Sequence, residues 1–335
     1  MTLEAFIRAM PKVELHVHLE GSIEPGTLLE LARRNDVALP ATSEAELRAW
    51  YTFRDFPHFI EVYRTISRCI RTADDLELIG RAFLTGQAAQ GIVYSEVTFT
   101  AQTHAFNYGL AFDEQLAALN RACRWAEAEL GVSMGLVIDI AREVTPADGL
   151  EVASWVIGAH GDGVVALGLG GSELGNPPEK FAAAFARARD AGVPLVLHAG
   201  ETAGPASIWG ALAQGSRRIG HGVRCLEDAA LVAELRERQV PLEVCPTSNV
   251  RLGVAPSLAE HPFPRLLDAG LYVTLNSDDP PMFGTTLTDE YLAAARAFGL
   301  DRPAIERLAL NAARATLLPP DRAAALVTHL RDAFA

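Results

Sequence analysis

Eight short apolar, β-rich runs recur along the chain, each followed by a segment with helical periodicity, and this alternation constrains the fold more than any other feature. The runs read as Val13–Val17, Ile92–Phe99, Ser133–Asp139, Val164–Leu169, Pro194–His198, Arg218–His221, Pro241–Cys245 and Tyr272–Asn276. Several, such as VVALGL, PLVLH and YVTLN, are apolar nearly throughout, as strands covered on both faces must be. Asp113–Leu130, Glu179–Ala191, Glu227–Arg238 and Ser257–Ala269 place apolar residues three and four apart, the pattern of an amphipathic helix. An open doubly wound sheet alternates in the same way, but no glycine-rich GxGxxG turn follows the first run. The expectation is therefore an α/β chain forming a single (β/α)8 TIM barrel, one domain over residues 1–335. The long stretch between the first two runs, with its aromatic segment YTFRDFPHF, predicts a helical insertion after strand 1. Thr288–Phe298, Arg302–Thr316 and Pro320–Ala333 predict extra C-terminal helices.

Charge narrows the partners. Twenty-nine basic against forty-two acidic residues leave a net charge of −13, which repels phosphate backbones and anionic bilayers, so neither nucleic acid nor membrane is expected. No run approaches the roughly 18 apolar residues of a membrane span, and the N-terminus carries no basic segment followed by an apolar one. A cytoplasmic protein is expected. The four cysteines lie far apart without a CxxC pair, which predicts free thiols.

The polar residues at the ends of the runs carry the chemistry. His16 and His18 close the first in the string ELHVHLEG, and period-two alternation aims both imidazoles the same way, into the barrel mouth. The fifth run ends in LHAGE, the sixth in GHG and the eighth in NSDDP. Taken singly, His198 reads equally as ligand or core, Glu201 as a solvated loop carboxylate, and Asp278 and Asp279 as turn caps. Their shared place at C-terminal strand ends, where barrel active sites are built, favours a common site. Three imidazoles and a carboxylate (His16, His18, His198, Asp278) suit Zn²⁺ with a position left for water. A water so held ionises near neutral pH, and a nearby carboxylate can move its proton. Lys12 and Lys180 are the only lysines, and neither falls where a carbamylated lysine could bridge two ions, so one Zn²⁺ per chain is expected.

With these residues in view, the sequence resembles the adenosine deaminase-like family of metal-dependent purine deaminases in the amidohydrolase superfamily. The motifs that carry the likeness are PKVELHVHLEGS, GGSELGNPPEKF, HAGET, RIGHGVR, EVCPTSN and NSDDPPMFGT, from Pro11 to Pro319. The resemblance implies Zn²⁺ on His16, His18, His198 and Asp278. It implies catalytic roles for Glu201, which protonates purine N1, and for His221, which orients the attacking hydroxide. It further implies substrate contacts from His18, from Asp279 to N7 and from the backbone N–H of Gly171 to N3. Glu20 stands where the family's adenosine enzymes commonly carry aspartate, and is expected at the sugar end. Phe56 and Phe59, with Phe53, read either as a lid over the barrel mouth or as plain helix core.

The expected reaction is hydrolytic loss of the 6-amino group of a purine nucleoside by attack of water, releasing ammonia. Adenosine or 2′-deoxyadenosine is the expected substrate, and 6-amino-6-deoxyfutalosine, resembled through GLGG and FRDFPHFIEVY, is the alternative. Free adenine is placed behind both, because relatives acting on it commonly read HAGEE and DHG where this chain has HAGET and GHG. A zinc amide or ester hydrolase is the remaining enzymatic reading.

Overall fold

The computed structural model describes residues 1–335. Eight strands follow one another in space as they do in sequence, every neighbouring pair parallel: β1 (Lys12–His18), β2 (Ile92–Phe99), β3 (Ser133–Ala141), β4 (Val164–Gly170), β5 (Leu195–Ala199), β6 (Arg218–His221), β7 (Leu242–Val244) and β8 (Val273–Leu275). β8 returns to β1 through His18 N–H donating to Asp278 O at 2.9 Å and Asp278 N–H donating to His16 O at 3.1 Å. The sheet so closed, with helices between its strands, is a (β/α)8 TIM barrel, as the alternation predicts.

The insertion after β1 is helical, with helices Pro25–Arg34, Glu44–Trp50, Phe56–Ser67 and Ala73–Ala89. Their starts are written in the sequence. Asp55 caps Phe56–Ser67 by accepting from His58 N–H at 2.9 Å, and Thr72 and Asp75 form a reciprocal capping box on Ala73–Ala89. The closing helices are Leu287–Phe298, Arg302–Ala315 and Pro320–Phe334. One expected helix is much shorter: Ser257–Ala269 yields only Phe263–Asp268, because Pro262 and Pro264 lack the backbone donors that a helix running from Ser257 would need. Glu179–Ala191 divides into a 3-10 turn, Pro178–Phe181, and a helix, Ala182–Asp190.

The barrel interior is apolar only in part. Val137, Ala166 and Val196 pack together with Leu317 against them, in the way barrel cores are filled. Beside them lies a fully buried ion network, with Arg218 2.6 Å from Glu96 and 2.5 Å from Glu243. Burying charges is tolerable because each is paired, and Arg218 also donates to Ala315 O at 2.9 Å. This layer supports the residues at the mouth.

Candidate active site

His16 and His18 leave β1, His198 leaves β5, and Asp278 follows β8, so the strand ends bring them to one point. His18 Nε2 lies 3.2 Å from His198 Nε2 and 3.3 Å from Asp278 Oδ1, and His16 Nε2 lies 3.5 Å from the same oxygen. His16 Nε2 is buried without a hydrogen-bond partner. Three imidazole nitrogens and a carboxylate oxygen facing one another with too few protons to pair them all make a donor set for a borderline divalent cation, and zinc fits it. The other sides of these groups are held. His16 Nδ1 meets Glu243 Oε2 at 2.9 Å and Ser248 Oγ donates to Asp278 Oδ2 at 2.6 Å, the second-layer contacts that fix ring and carboxylate orientation.

Glu201 and His221 stand beside this set. His221 Nε2 is 3.8 Å from Glu201 Oε1 and 3.9 Å from Asp278 Oδ2. Burial, then the Asp278 charge, pushes the Glu201 carboxyl well above the usual range, while burial holds His221 down at about 3, neutral in ordinary buffers. His221 and Asp278 both adopt left-handed backbone, at φ 61° and 67°. Such strain, of order 1–3 kcal/mol per residue, persists only where surrounding contacts over-determine it.

The site opens into a cavity of about 350 Å³, lined among others by His18, Asp139, Gly171, His198, Glu201 and Asp279. Asp279 is buried with Oδ1 unpartnered, and burial, then Asp278, raises its pKa well above normal. Gly21 makes room for it: a Cβ there would fall 1.6 Å from Asp279 Oδ1. Phe56 and Phe59 both line the cavity, and Phe59 is also stacked on Phe283 with centroids 5.5 Å apart. The two alternatives for that segment therefore coincide, a packed helix that walls the mouth. Glu20 is placed differently from the expectation. It is not among the lining residues, and its oxygens accept from Tyr63 O–H at 3.1 Å and from Thr100 N–H at 3.1 Å.

Several site residues had no role assigned from the sequence. Glu173 accepts from the backbone N–H of Glu201, Thr202 and Ala203 at 3.2, 2.9 and 2.6 Å, and so shapes the loop that carries Glu201. Arg142 in turn donates to His198 O at 2.5 Å. Asp139, at the end of β3, lines the cavity with an unpartnered buried oxygen, and burial lifts its carboxyl to about 7. Glu173, Glu243 and Ser248 all lie inside the quoted motifs GGSELG and EVCPTSN, which was the available signal; Asp139 lies in none. The two lysines are far from the ligands in role: Lys12 Nζ donates to Met10 O and Gln90 O, and Lys180 Nζ to Arg142 O and Asn176 Oδ1. No helix is long and apolar enough to cross a membrane.

With that geometry in hand, comparison with known proteins corrects the substrate. An adenine deaminase of Chlorobium phaeobacteroides (strain BS1) is 38% identical over 321 residues, covering 96% of this chain and 95% of its own. One from Bordetella parapertussis is 40% identical, covering 93% of this chain and 98% of its own. Among solved structures, an adenine deaminase from Arthrobacter aurescens matches with a TM-score of 0.92 at 35% identity, covering 97% of this chain and 99% of that one. An amidohydrolase from Burkholderia ambifaria, solved with bound Zn, matches with a TM-score of 0.91 at 25% identity, covering 100% and 93%. The expected nucleoside substrate, adenosine or 2′-deoxyadenosine with 6-amino-6-deoxyfutalosine as alternative, is overturned by these adenine deaminases. The reason the sequence misled is local. Thr202 and Gly220, the positions weighed against adenine, do not line the cavity, and Glu20, expected at a sugar, is already engaged by Tyr63 and Thr100. The adenosine deaminase family profile matches residues 11–333, and the chain, a hydrolytic deaminase, belongs to that family.

Proposed function

We propose that this chain hydrolyses adenine to hypoxanthine and ammonia with one zinc ion held by His16, His18, His198 and Asp278. Bound zinc supplies the Lewis acidity that brings water toward ionisation near neutral pH. The protein does the rest. The Glu201 carboxyl delivers a proton to N1, drawing electron density from C6; its carboxylate then takes one proton of the attacking water and passes it to the departing amino group, and takes the second as the C6 oxygen becomes a carbonyl, which restores the carboxyl. Adenine and water thus balance as hypoxanthine and ammonia. His221, fixed 3.8 Å from Glu201, holds the attacking oxygen at C6. Asp279, buried with a free oxygen, donates to N7, and the Gly171 N–H donates to N3. Asp139, on the cavity wall, stands available to the remaining ring edge.

The observation that carries this reading is the agreement on adenine among relatives aligned over nearly the whole chain. It is supported by the convergence of Glu201, His221 and Asp278 on one point. The test is ammonia release in steady state from adenine, adenosine and 2′-deoxyadenosine by the zinc-loaded protein. Adenine is expected to give the highest kcat/KM; adenosine turned over faster than adenine overturns the proposal.

A further inference from the structure

A chain of hydrogen bonds runs from a backbone amide to the reaction centre. Phe263 N–H, which can only donate, points at His261 Nδ1 at 3.0 Å. His261 Nδ1 must therefore accept, which leaves the ring's proton on Nε2. That nitrogen faces Asn249 Oδ1 at 3.1 Å, so the amide oxygen accepts and the amide nitrogen is turned the other way. Asn249 Nδ2 lies 3.3 Å from His221 Nδ1, and an amide nitrogen can only donate. His221 Nδ1 must in turn accept, and the proton of the neutral imidazole is left on Nε2, the atom that faces Glu201 and Asp278.

All three side chains are buried, His261 at 4%, Asn249 at 0% and His221 at 1% exposure, so water does not compete for these positions. His261 contacts the rings of Phe263 and Phe298, which confines its plane. Burial also holds it down at about 4, so it stays neutral and the polarity of the chain is retained across the pH range of ordinary assays. Each group is pinned by a neighbour of fixed polarity, and the first of them is main chain.

We infer that Asn249 and His261 are positioning residues that lock His221 in the Nε2–H tautomer, so that His221 acts on the attacking oxygen as a hydrogen-bond donor and not as a base. This rests on His221 facing the reacting water, as proposed above, but the tautomer itself does not depend on which purine is the substrate. A donor already aimed where negative charge develops needs no reorganisation during the reaction.

The test uses zinc-loaded protein labelled with ¹⁵N-histidine, in which long-range ¹H–¹⁵N spectra distinguish the two neutral tautomers. The unmodified protein is expected to show His221, identified by its loss in His221→Gln, with Nε2 protonated. Asn249→Asp offers a carboxylate that accepts from both rings, and is expected to move the His221 proton to Nδ1. In the same variant kcat is expected to fall by about 10²–10³-fold, the usual effect of losing one such donor, with KM for adenine little changed. His261→Phe, which keeps the ring packing but frees the amide to turn over, is expected to give mixed tautomers and an intermediate kcat. An Nδ1–H tautomer in the unmodified protein overturns the inference, and so does an Asn249→Asp protein that switches tautomer with kcat intact. Should Asn249→Asp not fold, the unmodified protein and His261→Phe decide the matter alone. Failure of adenine as substrate is read separately, from the unmodified protein's turnover, and leaves the spectral result standing.

Discussion

Glu201 is the residue on which the proposed mechanism depends. A nucleophile alone does not open an aromatic amidine until N1 accepts a proton, and positioned acid–base help is worth about 10²–10⁴-fold. Glu201→Gln keeps the shape but cannot cycle a proton, so kcat should drop at least about a hundredfold with metal content unchanged. Unchanged kcat with a raised KM, in parallel assays of both proteins, would make Glu201 a binding residue only. His221→Ala, by contrast, should retain zinc and lose most activity; loss of metal from that variant, read by elemental analysis, would place His221 among the ligands. A further buried acid bears on stability and not on chemistry. Glu290 accepts from Thr285 O–H at 2.7 Å and Thr247 N–H at 3.2 Å, and burial lifts its pKa from 4.5 to about 7. Between those values the folded chain holds a proton that the unfolded chain has released, so stability falls as pH rises through this window. The effect is on the order of 3 kcal/mol. Glu290→Gln should flatten the slope, as measured by denaturant unfolding at pH 5 and pH 7.5; an identical slope in both proteins would remove Glu290 as its cause.

The helix Phe56–Ser67 is the element that joins packing to function. It presents Phe56, Phe59 and Tyr63 to the cavity, and Tyr63 also holds Glu20. Its start depends on a single side chain, Asp55, which satisfies His58 N–H. Asp55→Ala should lower stability by about 1 kcal/mol and raise KM for adenine more than it lowers kcat, since the wall loosens while Glu201 and His221 stay in place. A change in kcat alone, at unaltered KM, would contradict the role given to this wall. The same segment marks what periodicity can reveal. Aromatic residues three apart correctly indicated a helix, but whether that helix covered a mouth or filled a core depended on Phe283, which meets Phe59 from beyond β8.

For the whole molecule, the barrel's closure and the proposed ligand set coincide, because the ends of β1 and β8 meet through the backbone of His16, His18 and Asp278. A metal bound there ties the seam of the barrel. The zinc-loaded protein should contain about one zinc per chain, and chelation should abolish turnover and lower the melting temperature, since a ligand bound only by the folded state stabilises it. Two ions per chain, both needed for activity, would refute the mononuclear site. The closure was legible before the structure: His16, His18, His198 and Asp278 were readable as a group because each sits at the end of an apolar run, and position at a strand end is a local property.

What the sequence determined by itself was therefore the architecture and the gathering of polar residues at the strand ends, both written in short-range signals such as strand periodicity and an HxH pair on one face. What only the tertiary structure decided were the partners that orient those residues. Glu20 is held by Tyr63 and Thr100, 43 and 80 residues away in sequence, two residues that line the cavity. Asn249 reaches His221 across 28 residues and His261 across 12. The side-chain pattern of a strand says which way a histidine points, but the atom that carries its proton is set by whichever group is packed behind it, and that group is chosen by the fold.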